Sequence, residues 1–125
     1  MPVVRDKKIE VLFSAEEIAA RNNQLAEEIA LSDLHNPLVI SILKGSFVFA
    51  ADLIRALHNA GLSPEVEFIS ISSYGAGTEA REPKVIRDVE SNVEGRDIIL
   101  VDDILESGGT LQFTRDLMLS RGANR

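Results

Sequence analysis

The chain has 125 residues, 45% of them hydrophobic, which is enough for one buried core and too few for two ordinary domains. Acidic residues outnumber basic ones 20 to 13, a formal charge of −7, so the surface repels nucleic acid and anionic membrane, and no run of Lys and Arg offers a local exception. There is no cysteine, which excludes disulfides and thiolate metal sites, and no apolar stretch approaches the roughly 20 residues that cross a bilayer. These features together predict a cytoplasmic protein bound to neither nucleic acid nor membrane.

Ile9, Val11 and Phe13 alternate with Glu10 and Leu12, the pattern of a short strand or extended lead-in. Ser14 followed three residues on by Glu17 is a capping box, and Ile18, Leu25 and Ile29 then recur at helical spacing, predicting a helix from Ala15 to about Leu31. Asn36 and Pro37 break the chain before Leu38 to Leu43, an apolar run in which only Ser41 is polar. A strand covered on both faces reads this way. Lys44, Gly45 and Ser46 turn the chain into a helix over Phe47 to Ala60, with Gly61 placed to end it. Val66 to Ile71 is β-branched enough for a strand, Ser72 to Pro83 has the small polar composition of a mobile loop, and Lys84 to Val89 reads as a further strand. Asp97 to Val101 is a second buried strand, and Thr110 to Ser120 a helix stopped by Gly122.

Strands alternating with helices predict an α/β fold, a parallel twisted sheet flanked by helices, with ligands at the carboxyl ends of the strands. One domain over residues 1–125 is expected, incomplete at its carboxyl terminus, because a helix such as Thr110 to Ser120 ordinarily leads into another parallel strand.

The loops at those carboxyl ends carry the chemistry. Asp102 and Asp103 follow a buried strand directly, where two carboxylates are costly unless something positive neutralises them. Magnesium suits such a pair, since it takes one or two carboxylates and fills its shell with water and substrate oxygens. Taken alone, the doublet reads more simply as a solvated acidic loop capping the next helix, because acidic residues are common at strand ends. Glu106, Ser107, Gly108, Gly109 and Thr110 then form a glycine-bearing turn into a helix start, where backbone amides and hydroxyls favour a phosphate. The Gly-Lys-Ser/Thr ending of a Walker A loop is missing. A doublet for a metal or a diol beside a phosphate nest matches the size of a ribose phosphate.

Ile99 to Leu111 (ILVDDILESGGTL) resembles the phosphoribosyl diphosphate signature of the phosphoribosyltransferases. Leu43-Lys44-Gly45-Ser46 resembles the diphosphate loop of their hypoxanthine/guanine branch, and Ser73-Tyr74-Gly75 the start of its mobile catalytic loop. The resemblance implies the type I phosphoribosyltransferase fold and transfer of the phosphoribosyl group from phosphoribosyl diphosphate to hypoxanthine or guanine, in a magnesium-dependent homo-oligomer, dimer or tetramer. It implies that Asp102 and Asp103 hold the ribose hydroxyls directly or through magnesium, that Ser107 to Thr110 hold the 5′-phosphate, and that Leu43, Lys44 and Gly45 meet the diphosphate. It implies, too, that Tyr74, with Ser73, closes over the site. Glu106 matches the acid near N7 of the purine, which the family usually supplies as aspartate, and Asp102 stands where relatives often have glutamate.

Three rival readings follow from the same residues. An RNA-binding regulator on this fold would need a basic face, against the −7 balance. A receiver-like phosphoacceptor would carry its acidic doublet near the amino terminus, with a lysine well downstream. A ligand-binding fragment without activity is the third, because the family's purine-binding lysine and stacking aromatic fall beyond residue 125. On that ground the 125-residue chain alone is expected to bind phosphoribosyl diphosphate, to self-associate, and neither to bind free purine nor to catalyse transfer.

Overall fold

The structure, a computed structural model, describes residues 3–4, 7–8, 10–43, 45–74, 80–103 and 109–125. Two short antiparallel strands, β1 (Val3–Val4) and β2 (Lys7–Lys8), precede the main body. Val11 and Phe13, expected in a short strand or extended lead-in, lie in irregular chain and are exposed, and Ile9 lies outside the described residues. Then follow α1 (Ala15–Ala30), β3 (Leu38–Leu43), α2 (Phe47–Asn59), β4 (Glu65–Tyr74), β5 (Ala80–Arg87), β6 (Ile98–Val101) and α3 (Gly109–Ser120).

The capping box forms as its residues dictate. Ser14 Oγ accepts from the Glu17 amide at 3.1 Å while Glu17 Oε1 accepts from the Ser14 amide at 3.3 Å, so two amides at the start of α1 gain partners. Gly61 and Gly122 end α2 and α3 at φ +96° and +93°, a conformation that glycine enters without a Cβ penalty. In each case the following amide reaches back over the last turn, from Leu62 to the Leu57 carbonyl and from Ala123 to the Met118 carbonyl.

The main sheet runs β5-β4-β3-β6, with β4, β3 and β6 mutually parallel. Its departure from the expected all-parallel sheet is β5, which pairs antiparallel with β4 as a hairpin. Residues 72–74 and 80–83, expected in a loop, are therefore strand, and of the expected loop only 75–79 falls outside the described residues. An edge position explains why the composition misleads. A strand paired on one side tolerates Pro83 and polar residues that a central strand would exclude.

β3 is the spine. Leu38 to Ile42 are all buried, and the alternation of side chains divides them between two cores. Val39 joins Val101 and the inward faces of α1 and α2 (Ala26, Ala50, Leu53, Leu57), whereas Leu38, Ile40 and Ile42 join Ile69, Val93 and Met118 on the side of α3. Each large side chain so buried contributes about 1.5–3 kcal/mol. A polar knot closes the opposite, amino end of the sheet. Arg96 donates to the carbonyls of Asn36 and Pro37, and Asp97 accepts from the His35 amide and the Asn124 side chain.

Candidate functional site

Because β3 and β6 are parallel and paired Ser41 to Val101, the two residues that follow β6 run level with Ile42 and Leu43, where β3 gives way to the turn before α2. The acidic doublet and the glycine turn thus meet at one edge as a consequence of register. The contact is close: Asp103 Oδ2 stands so near the Gly45 backbone that a Cβ built on Gly45 would lie 2.1 Å from it and 2.8 Å from Asp103 Cγ. Tyr74, last residue of β4, ends at the same edge of the sheet.

The turn after β3 is held from inside. Ser46 is fully buried, its hydroxyl donates to the Ile42 carbonyl, and it lies 2.7 Å from the buried Ser41 Oγ, which in turn donates to it. That inward commitment leaves Ser46, at the N-cap of α2, making no side-chain capping bond. Ser41 was visible in the sequence as the single polar residue in an apolar run. Its need for a buried partner was the available signal for Ser46, since buried hydroxyls are almost always paired.

Asp102 is half-buried and Asp103 exposed. The Asp103 amide donates to Asp102 Oδ1 at 2.9 Å, yet desolvation outweighs that bond, and the Asp103 carboxyl adds to it, so the Asp102 carboxyl is pushed above its ordinary range. A positive charge at this point would relieve the penalty. Among the described residues no three His, Asp or Glu side chains gather into a metal cage. A donor set of two adjacent carboxylates fits magnesium held partly by water and substrate oxygens, and does not fit a fully caged calcium ion.

Of the other residues expected in the site, Leu43 ends β3 half-buried, and Gly109 and Thr110 open α3, where the Thr110 carbonyl accepts from Thr114 Oγ1 at 2.8 Å. Ser73 and Tyr74 are the last two residues of β4. Lys44, Glu106, Ser107 and Gly108 lie outside the described residues. A cavity of about 350 Å³ lies elsewhere. It runs between the outer side of β6 and the end of α3, lined by Ile98, Leu100 and Met118 with Arg115, and the doublet takes no part in it. The carboxyl edge is the better candidate, because charge and backbone converge there while the cavity is mainly a gap between apolar side chains.

A family model described as the phosphoribosyl transferase domain matches residues 9–125. The hypoxanthine-guanine phosphoribosyltransferase of Lactococcus lactis subsp. lactis is 43% identical over 122 residues, covering 95% of this chain and 65% of that enzyme. That of Dictyostelium discoideum is 38% identical over 118 residues, covering 92% of this chain and 66% of that enzyme. Among solved structures, hypoxanthine phosphoribosyltransferase from Trypanosoma cruzi in complex with the product IMP superposes with a TM-score of 0.82 at 31% identity, over 95% of this chain and 70% of that one. The chain thus spans slightly under two thirds of the length of the two sequence relatives.

Proposed function

The chain belongs to the phosphoribosyl transferase domain family, and from that premise we propose that its carboxyl edge binds phosphoribosyl diphosphate with magnesium, and that the whole protein transfers the phosphoribosyl group to hypoxanthine or guanine. The observation that carries this reading is the meeting of Asp103 with Gly45. It brings the carboxylate pair, which would take a diol or metal, up against the glycine turn that would meet diphosphate. Relatives covering over 90% of the chain carry the matching activity in their names, which supports the choice of purine over pyrimidine acceptors.

In this reaction N9 of the purine forms a bond to C1 of the ribose as the C1–O bond to diphosphate breaks, and the leaving group departs with the electron pair. Positive charge grows on the ribose and negative charge on diphosphate, so groups placed to meet that charge lower the barrier most. Asp102 and Asp103 would hold the 2′ and 3′ hydroxyls, directly or across the metal. Magnesium, when bound, neutralises part of the diphosphate charge. Leu43, Lys44 and Gly45 would present backbone amides, and Lys44 its ammonium, to the diphosphate, while Ser107 to Thr110 would hold the 5′-phosphate at the start of α3. Glu106 would take up the purine proton. Ser73 and Tyr74, where β4 ends, would close over the activated sugar and keep water from it.

The test is nucleotide formation by the full protein from phosphoribosyl diphosphate, magnesium and hypoxanthine or guanine, resolved by chromatography. IMP or GMP should appear, and Glu106→Gln should lower the turnover number by roughly 10²-fold with little change in sugar-phosphate binding. No nucleotide with either base would remove the transferase reading.

A further inference from the structure

Gly45 differs from Gly61 and Gly122, which end helices, and from Gly95, in the turn before β6. Gly61, Gly95 and Gly122 hold positive φ, and Gly45 does not, so its backbone conformation is open to any residue. What excludes a side chain there is space. The atoms in the way, 2.1 and 2.8 Å from where a Cβ would stand, both belong to the Asp103 carboxylate.

We propose that Gly45 is a positioning residue: its missing side chain is the notch in which the Asp103 carboxylate is seated, and this couples the turn after β3 to the acidic doublet after β6. Two features decide which partner would yield if the notch were filled. Ser46, next in the chain, is fixed by its buried bonds to Ser41 and Ile42, so the turn is anchored from behind. Asp103 is exposed, and its carboxylate can swing away at small cost. A methyl group at Gly45 therefore displaces the carboxylate and leaves the fold intact. The functional consequence rests on the reading proposed above: a displaced Asp103 no longer meets the ribose hydroxyl or the metal, so diol recognition depends on a residue of the diphosphate turn.

The experiment is a double-mutant cycle with Gly45→Ala and Asp103→Ala in the full protein, read in two ways. In the absence of ligand, the side-chain carboxyl carbon resonance of Asp103 should move in Gly45→Ala while the melting temperature stays close to that of the parent. An unmoved resonance overturns the notch, whatever the protein binds. So does a melting temperature that falls equally with Asp103 present or replaced, because the turn itself would then demand glycine. With magnesium and phosphoribosyl diphosphate, Gly45→Ala should weaken binding roughly tenfold in the parent and less than about twofold in the Asp103→Ala background, a coupling typical of residues in contact. Equal weakening in both backgrounds overturns the proposal. If the parent itself binds no phosphoribosyl diphosphate, the functional reading fails, and the resonance alone decides the notch.

Discussion

Two buried serines set how the chain leaves the core at the candidate site, and their bonds are asymmetric. Ser46 both donates to the Ile42 carbonyl and accepts from Ser41, so Ser46→Ala strands the fully buried Ser41 hydroxyl. Ser41→Ala leaves the Ser46 bond to Ile42 in place. A stranded buried hydroxyl costs about 1–3 kcal/mol, against roughly 0.5–1.5 for a lost bond whose partner keeps another. Chemical denaturation should therefore rank Ser46→Ala as the more destabilising, with the double replacement falling short of the sum. Equal costs would mean that Ser41 finds another partner. At this scale the sequence was partly legible. Asp102, Asp103, Gly45 and Thr110 stood out by residue type and position, and the structure brings the doublet and the glycine turn together. The Gly45–Asp103 contact was invisible, because it arises from the register between β3 and β6, and no local pattern encodes how far one parallel strand slides along another.

Among the elements, helices were read to within a residue or so, since capping boxes and C′ glycines act within a few residues of the chain they terminate. The two C′ glycines differ in surroundings, which makes them comparable probes. A Cβ at Gly61 would meet nothing within 4 Å, so Gly61→Ala should cost only the positive-φ penalty, about 1–2 kcal/mol. At Gly122 the same Cβ would come within 3.1 Å of Glu94 Cγ, so Gly122→Ala should cost more by urea denaturation. The reverse order would show that Glu94 moves aside freely. The β4–β5 hairpin was the element misjudged. Its pairing is non-local and its composition is that of a loop, so only the presence of a β4 edge to pair with turns residues 80–83 into strand.

For the whole molecule, acid sensitivity should be concentrated at the amino end of the sheet. The His35 amide, the Asn124 side chain and Arg125 hold the buried Asp97 carboxyl below its ordinary value near 3.8. A depressed carboxyl stabilises the fold fully above that ordinary value and loses the contribution as pH falls through the folded one. Asp97→Asn should therefore lower the melting temperature at neutral pH and flatten its decline below about pH 4. An unchanged acid limb would assign acid unfolding to other groups. The fold class itself was legible, because LVISIL announces a strand buried on both faces and DIILV a second apolar strand, though Ile98, Ile99 and Leu100 are only half-buried because β6 lies at the edge of the described sheet; these two parallel strands bring the doublet and the Gly45 turn to one edge. Thermal unfolding with and without phosphoribosyl diphosphate and magnesium tests the central claim most directly. At a hundredfold excess over the dissociation constant the ligand should stabilise the parent by about 2.7 kcal/mol, and the Asp102→Asn, Asp103→Asn double variant should show almost none of that gain. No shift in the parent, or an equal shift in the variant, would contradict a phosphoribosyl diphosphate site built on this doublet.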